Sequence, residues 1–195
     1  MKQETKQKII EAGAHIIHHK GYHHTGIQEV LTAAKVPKGS FYFYFTSKED
    51  FGLQIIDFFD QSFRDMTDPI TKDDTLSPMG RVEGVFDWFI HLFNEINYTC
   101  GCPIGNLAQE MGDLSPDFRR KLNDSVDLMI QTYENLLKAA QEDEEISMDL
   151  NTRETAGFIV SSWHGALIRM KIVKGIEPLE THKRFILNTL LTIPL

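Results

Sequence analysis

The sequence predicts an all-α fold, with a three-helix N-terminal head that contains a helix-turn-helix and a larger C-terminal helical bundle. Apolar residues recur every three or four positions through most of the 195 residues, which is the period of an α-helix. Residues that start and stop helices bound these stretches, and we find no convincing two-residue alternation of a strand. These observations indicate about nine or ten helices.

The head opens with an amphipathic helix, expected from about Lys2 to Lys20. Ile9, Ile16 and Ile17 lie on one face of this helix. Gly21 follows the last basic residue and is suited to the left-handed position that ends a helix. The sequence therefore predicts a first helix that a glycine terminates.

The second and third helices are separated by about three residues, which is the spacing of a helix-turn-helix. We expect the second helix to start at Thr25, because Thr25 and Gln28 form a capping-box pair, and to end near Lys35. The third helix is short and is expected over 37–44. Its first residue, Pro37, is suited to a first helical turn.

The rest of the chain consists of longer predicted helices. Ser47 and Asp50 are an N-terminal capping pair, and Asp68–Pro78 is a polar, proline-bounded connection. The remaining helices are predicted over 47–66, 79–97, 104–111, 117–141, 151–174 and 178–191. We expect two domains, residues 1–50 as the head and residues 51–195 as the bundle.

Charge is unevenly distributed along the chain. The whole protein carries −8, but residues 1–50 have seven lysines and five acidic residues, a balance of +2, with five of the eight histidines. Residues 51–195 carry a balance of −10. This asymmetry is typical of a small nucleic-acid-binding head on an acidic body. Because +2 is weak, the position of each lysine matters more than the total.

The composition also predicts a compartment. No apolar run approaches the roughly 20 residues that span a bilayer, and the charged N-terminus lacks the apolar core of a signal peptide. Cys100 and Cys102 are only two positions apart, which is unusual for a structural disulfide. We therefore expect a cytoplasmic protein with no membrane association and with reduced thiols.

Five consecutive aromatic residues, Phe41 to Phe45, end the third helix. A helix of about two turns cannot bury five rings on one face, so at least one ring must face outward. We expect Phe41 and Phe45 to pack inward, and Phe43 and Tyr44 to face outward in part. The alternative is that Phe43 belongs entirely to the core.

A set of residues between positions 21 and 49 forms a recognisable pattern. The set is Gly21, Thr25, Ile27, Ala34, Val36, Lys38-Gly39-Ser40-Phe41-Tyr42, Phe45 and Ser47-Lys48-Glu49. In order and spacing it resembles the head of TetR-type transcriptional regulators, over residues 5–52. The resemblance implies a DNA-binding head at 1–50 and a ligand-binding, dimerising domain at 51–195.

The resemblance also implies which residues contact DNA. Lys38 is placed to pair with a phosphate, its two small neighbours allow close approach, and Tyr42 can donate a hydroxyl while its ring packs on a thymine methyl. Thr25 and Lys48 lie at helix N-termini, where phosphates are favoured. The predicted DNA-contacting residues are Thr25, Lys35, Lys38, Gly39, Ser40, Tyr42, Phe43, Tyr44 and Lys48.

Two residues depart from the family pattern. The family often has glycine where Lys35 stands, so this lysine must adopt a left-handed backbone or alter the turn, and it can add a phosphate contact. The family often has histidine or tyrosine where Phe43 stands. Phenylalanine cannot form that hydrogen bond, so we expect a polar contact to be missing there.

The late helices are expected to form a homodimer interface. Helices 117–140 and 152–174 resemble the pair that builds a four-helix interface in this family. One short helix touches too few bases for specificity, so we expect two heads on double-stranded operator DNA. The predicted seam is Met129, Tyr133, Trp163, Leu167 and Met170. The alternative is that some of these side chains fill the core of a single chain.

An effector pocket is expected between the helix that starts at Met79, the segment 100–111 and the dimer helices. An apolar cavity with few polar groups suits a small, mainly hydrophobic ligand. Its predicted lining is Trp88, Phe89, Phe93, Cys102, Asn106, Gln109, Glu110, Trp163 and His164. A ligand that favours wrongly spaced heads lowers DNA affinity by linkage, so we expect a repressor that the ligand releases.

Two alternative hypotheses stay open. Cys102 precedes Pro103 at a predicted helix start, a location that increases thiol reactivity, so the protein alternatively senses an oxidant or electrophile. His15 and His19 are four apart on a helix, which allows a small metal-binding protein or enzyme. No nucleophile–base pair at a recognisable spacing supports an enzyme. We therefore expect no catalytic residue, no metal and no cofactor.

Overall fold

The structure, a computed structural model, describes residues 2–192. Residue 1 of the predicted head and residues 193–195 of the predicted bundle lie outside this range. The helices in this range are α1 Lys2–Lys20, α2 Ile27–Ala33, α3 Phe41–Tyr44, α4 Lys48–Thr71, α5 Pro78–Glu95, α6 Pro103–Met111, α7 Pro116–Glu142, α8 Thr152–Val173 and α9 Glu177–Phe185. The all-α prediction is confirmed. None of these helices is long and apolar enough to cross a membrane.

Two short segments accompany these helices. A 3₁₀ turn, Lys38–Ser40, leads directly into α3. A turn of π-helix, Ile186–Leu190, follows α9, whereas the sequence predicts a single continuous helix over 178–191. The predicted third helix is therefore a 3₁₀ turn joined to one α-helical turn.

The chain forms two compact units. The N-terminal unit contains residues 2–63 together with Pro103–Ser125. The C-terminal unit contains Arg64–Cys102 together with residues 126–192. The division falls within α4 and within α7, so α6 and the start of α7 belong with the head.

Aromatic rings form the centre of the N-terminal unit. The Phe51 ring of α4 lies 5.3 Å from the Phe41 ring and 4.9 Å from the Phe45 ring, centroid to centroid. A Cβ atom at Gly13 would lie 2.2 Å from Cζ of Phe51, so only glycine lets α1 cross this ring. Edge contacts of this kind stabilise beyond the buried area.

The predicted start of α2 at Thr25 is wrong. The Thr25 hydroxyl donates to the carbonyl oxygen of Gly21 at 2.7 Å, and the residue is only 2% exposed. The helix starts two residues later, after Gly26, whose extended backbone occupies the N-cap position without a side-chain hydrogen bond. The hydroxyl therefore closes the turn after α1 and does not cap α2.

The start of α4 is predicted correctly and its end is not. Ser47 Oγ accepts the backbone N–H of Asp50 at 2.9 Å, as a capping residue does. The helix then continues through Pro69 to Thr71, within the stretch expected to be a connection. A Cβ atom at Gly84 would lie 2.9 Å from Cγ2 of Ile70, so the last turn packs closely on α5. Tertiary packing thus offsets the hydrogen bond that Pro69 removes.

α2 ends at a left-handed lysine. Lys35 has φ of 55°, the N–H of Val36 donates to the Leu31 carbonyl at 3.0 Å, and the N–H of Lys35 donates to the Thr32 carbonyl at 3.1 Å. These two bonds are the Schellman arrangement, in which the left-handed residue is usually glycine. Of the two outcomes predicted for Lys35, the structure adopts the left-handed backbone.

The C-terminal unit is built around Phe86 of α5. Its ring lies 5.7 Å from Tyr133, 5.5 Å from Trp163 and 5.5 Å from His182, centroid to centroid. His182 Nε2 lies 2.8 Å from the Ser162 hydroxyl, which joins α9 to α8. Burial in this apolar cluster lowers the pKa of His182 to about 4.

Replacing Lys35 with glycine is expected to stabilise the fold. A non-glycine residue in the left-handed region costs roughly 1–2 kcal/mol, and glycine's greater freedom in the unfolded chain returns about half of that. We expect the free energy of unfolding in urea to rise by about 0.5–1 kcal/mol. Lys38→Gly, at a position without positive φ, is the matched control and is expected to lower it. Equal effects of the two substitutions would contradict the left-handed assignment.

Acidification is expected to destabilise the C-terminal unit through His182. The unfolded chain binds a proton at this histidine near pH 6.5, whereas the folded chain binds it only near pH 4. Stability is therefore lost as pH falls from 6.5 towards 4. Thermal melting of the wild type and of His182→Gln across this range should show a steeper fall for the wild type. An equal fall in melting temperature with pH in the two proteins would exclude this role of the histidine.

Candidate nucleic-acid interface

In α3 and the residue that follows it, two aromatic side chains face outward and two face inward. Phe41 and Phe45 are four positions apart, lie on the same side of the turn and are fully buried. Tyr42 and Phe43 project from the other side and are 71% and 64% exposed. Tyr44 is half-buried. The prediction that the aromatic run must expose at least one ring is confirmed.

The turn before α3 adds exposed polar groups to this surface. Lys35, Lys38 and Gly39 are exposed, and Ser40 is half-buried. A Cβ atom at Gly39 would meet no other atom within 4 Å, so the backbone there is open to close approach. Four of the predicted DNA-contacting residues thus lie at the surface in or next to the turn that leads to Tyr42.

A surface cavity of about 450 Å³ lies between α1 and this turn. Its lining residues are Thr5, Lys8, Ala34, Lys35, Val36, Pro37, Ser40 and Tyr44. The lining residues include two lysines and three residues that carry a hydroxyl, and none of them is acidic. This donor-rich lining is suited to an anion such as a phosphate.

The first turns of α1 contribute cations that the sequence analysis missed. Lys8 lines the cavity, Lys2 Nζ lies 5.1 Å from the Phe43 ring centroid, and Lys6 Nζ lies 5.7 Å from the Phe45 ring centroid. The signal available in the sequence was the concentration of three lysines in the first two turns of α1. Its relation to α3 depends on how the helices pack.

Two predicted phosphate contacts face inward. The Thr25 hydroxyl already donates its hydrogen to the carbonyl oxygen of Gly21, so in this arrangement it does not donate to a phosphate as predicted. Lys48 Nζ donates to the Tyr22 carbonyl at 2.8 Å and lies 4.5 Å from the Tyr22 ring centroid. Burial lowers the pKa of Lys48, and the carboxylate of Glu110 opposes that shift. Lys48 is thus held at the corner between α1 and α2.

Glu110 of α6, predicted to line the effector pocket, binds this corner. Its carboxylate oxygens accept the backbone N–H groups of Tyr22 at 2.8 Å and of His23 at 2.6 Å. Each carboxylate oxygen thus accepts one backbone N–H, and the role of Glu110 in lining an effector pocket stays a prediction. Its neighbour Gln109 is exposed, and its side-chain amide donates to the Gly105 carbonyl at 3.3 Å.

The other predicted effector residues are divided between the two units. Asn106 lies in the N-terminal unit and is half-buried. The C-terminal unit contains Trp88, Phe89, Phe93, Cys102, Trp163 and His164. Trp88 and Phe89 have ring centroids 5.0 Å apart, and Phe89 and Phe93 have theirs 6.5 Å apart. These three rings form an apolar row along α5.

Trp163 belongs to the aromatic core of the C-terminal unit, and its neighbour in sequence, His164, is half-buried. The Trp163 ring packs on Phe86 and on His182 at 5.3 Å, so it is part of the cluster that centres the unit. Burial lowers the pKa of His164. Cys102 is half-buried and immediately precedes α6. The thiol-sensing hypothesis stays a prediction.

Four of the five residues of the predicted dimer seam are buried in the single chain, which favours the alternative that they fill its core. Met129, Tyr133, Leu167 and Met170 are buried within their own chain, and Trp163 is half-buried. A stripe at helical spacing shows that side chains are covered, but not whether the same chain or a partner covers them. The large apolar side chains that α8 and α9 leave exposed are Phe158, Ile168, Ile172, Val173 and Phe185.

The histidines of α1 do not build a metal site. The His15 and His19 rings have centroids 4.3 Å apart, and His19 Nδ1 lies 2.8 Å from the His15 carbonyl oxygen. Across residues 2–192, no three or more His, Cys, Asp and Glu side chains are grouped to hold a metal ion. Protein metal sites usually require at least three protein ligands.

Two family models match this chain. The model for bacterial regulatory proteins of the tetR family matches residues 9–55. The model for the tetracyclin repressor-like C-terminal domain matches residues 78–186. The first match covers α2, α3 and the turn between them, and the second covers more than half of the chain.

Similar proteins and structures agree with these matches. Transcriptional regulator AcuR of Cereibacter sphaeroides is 35% identical over 91% of this chain and 81% of its own, and the HTH-type transcriptional repressor DhaR of Mycobacterium sp. (strain GP1) is 31% identical over 95% and 92%. The structure of regulatory protein TetR from Rhodobacter sphaeroides has a TM-score of 0.87 at 35% identity, covering 93% of this chain and 96% of that one. The structure of reduced E. coli NemR has a TM-score of 0.88 at 25% identity, covering 98% and 100%. The chain therefore belongs to the TetR family of DNA-binding transcriptional regulators.

Proposed function

We propose that this protein is a repressor that binds double-stranded operator DNA as a homodimer and releases it when a small, mainly apolar molecule binds. The observation that carries the DNA-binding assignment is the exposed Tyr42–Phe43 pair beside the lysine-lined cavity. The names of similar proteins, such as the repressor DhaR, support repression over activation.

The bases are read by the outward side of α3. Tyr42 has a hydroxyl that donates and a ring that packs on a thymine methyl, whereas Phe43 offers an apolar contact alone. Gly39, without a side chain, lets the backbone approach the groove. The core contacts of Phe41 and Phe45 hold these groups in place, so little ordering is required on binding.

Phosphates are bound around this reading element. Lys35 and Lys38 are exposed on the turn, and Lys8 faces the cavity from α1. The hydroxyls of Ser40 and Tyr44 line the same cavity and add neutral donors. Each lysine that neutralises a phosphate releases a counterion, so a few well-placed lysines outweigh the weak overall balance of the head.

The outward face of α8 is the proposed dimer surface. Phe158, Ile168 and Ile172 are exposed, and Ser161 and Gly165 lie between them at three- and four-residue spacing. A Cβ atom at Gly165 would meet nothing within 4 Å, so a second helix can approach closely there. A second copy is the proposed partner, because operator recognition requires two symmetric heads.

Release by a ligand follows from linkage between the two units. A molecule that binds better to the low-affinity arrangement lowers DNA affinity by the same factor. α4 and α7 each contribute residues to both units and are the proposed route of coupling. The apolar row Trp88, Phe89 and Phe93 is the proposed contact surface for the ligand. The residues Cys102, Asn106, Gln109, Glu110, Trp163 and His164 stay predictions.

Operator binding is tested by footprinting the protein on its own upstream DNA and screening small molecules for release. On the protected site, Lys8→Ala is expected to weaken binding uniformly across sequence variants. Affinity falls as salt rises, so the slope of log K against log salt is negative. Its magnitude should decrease by about one in this variant, because one phosphate contact is lost. Fluorescence anisotropy at several salt concentrations measures both effects.

The matched control is Lys72→Ala, which removes an exposed lysine of the C-terminal unit that pairs with Asp68. It is expected to leave the affinity and the salt slope unchanged. Absence of protection on every neighbouring promoter would contradict the proposed function. An unchanged salt slope for Lys8→Ala would remove the cavity from the interface while leaving the regulator assignment in place.

The dimer surface is tested by Ile168→Glu. A carboxylate without a partner in an apolar interface costs several kcal/mol, so we expect the dimer dissociation constant to rise at least about a hundredfold. Sedimentation velocity across a concentration series measures it. Met148→Glu introduces the same charge at another exposed apolar residue, outside α8, and is expected to dimerise normally. Dissociation of both variants, or of neither, would contradict the assignment of α8.

A further inference from the structure

The peptide group that joins Tyr22 to His23 lies between two opposite charges. Its carbonyl oxygen accepts a hydrogen bond from Lys48 Nζ at 2.8 Å. Its N–H, which belongs to His23, donates to Glu110 Oε1 at 2.6 Å. One peptide therefore connects an ammonium on α4 to a carboxylate on α6, all within the N-terminal unit.

The corner is shaped to receive that carboxylate. Gly21 has φ of +87°, and a Cβ atom there would lie 3.0 Å from Glu110 Oε2. The left-handed turn directs the successive N–H groups of Tyr22 and His23 to one side, where they form an anion-binding concavity. Glu110 occupies it with both oxygens. The Tyr22 ring packs on Phe118 of α7 with centroids 5.0 Å apart, so the corner is anchored a second time.

The Lys48 ammonium interacts mainly with groups of the protein itself. Its ammonium lies 4.5 Å from the Tyr22 ring centroid and faces the Tyr22 carbonyl, with the Glu110 carboxylate beyond it. A cation that already has a counter-charge binds a second anion less strongly. A phosphate brought to Lys48 also meets repulsion from Glu110 across the same peptide.

We propose that the Glu110 carboxylate competes, across the Tyr22–His23 peptide, with an operator phosphate for the Lys48 ammonium and so weakens operator binding. The inference rests on the proposed function and on the phosphate contact predicted for Lys48.

The test uses Glu110→Gln in the full-length protein, with operator affinity measured by fluorescence anisotropy over a salt series. Glutamine keeps the shape and loses the charge, so we expect binding about threefold to tenfold tighter and a salt slope steeper by up to one. Asp113→Asn removes one charge from an exposed residue three positions away and should leave both values unchanged. In a Lys48→Met background, Glu110→Gln should produce no tightening.

Operator binding by Glu110→Gln that is unchanged or weaker would overturn the competition. Tightening that persists in the Lys48→Met background would overturn it as well. Amide hydrogen exchange at Tyr22 and His23 checks the corner without DNA: faster exchange is expected in Glu110→Gln but not in Asp113→Asn, at matched melting temperature. Unchanged exchange would overturn this inference alone, whereas a wild type that protects no promoter would overturn the proposed function.

Discussion

Burial of Phe41 and Phe45 against Phe51 is the constraint on which the DNA-reading surface depends. A helix of one turn has no stability of its own, so its orientation is decided by the rings that it buries. Because those two rings occupy the inward side of the turn, Tyr42 and Phe43 point outward. The same packing places the preceding turn, with its lysines, beside the reading helix. The interface is thus a consequence of how the core of the head is filled.

The corner between α1 and α2 gives the head a second constraint. Gly21 ends α1 in a left-handed conformation, and the two N–H groups after it are satisfied by Glu110 rather than by water. Lys48 donates a hydrogen bond to the carbonyl oxygen of the peptide group that joins Tyr22 to His23. The head is therefore not an independent three-helix module, because α6 and the start of α7 complete its hydrogen bonding and its packing.

The C-terminal unit shows how far periodicity can be interpreted. The spacing of apolar residues in α8 correctly predicted a helix, and Leu167 and Met170 are buried as a stripe requires. It did not indicate what covers them, and their burial within the single chain favours core packing over the predicted dimer seam. The outward face was harder to recognise, because Phe158 and Ile168 are separated by small residues that weaken the apolar signal. His182, which packs on Phe86 at the centre of the unit, carried no motif at all.

The sequence by itself determined the local features of this protein. Gly21 at a helix end, Ser47 at a helix start and the outward rings of the aromatic run follow from backbone and side-chain geometry within a few residues. The tertiary structure alone decided the direction of Lys48 and the role of Glu110. Tyr22 and Glu110 are 88 positions apart, and no periodic pattern encodes a contact over that distance. Local rules determine which groups require a partner, and packing determines which distant residue supplies it.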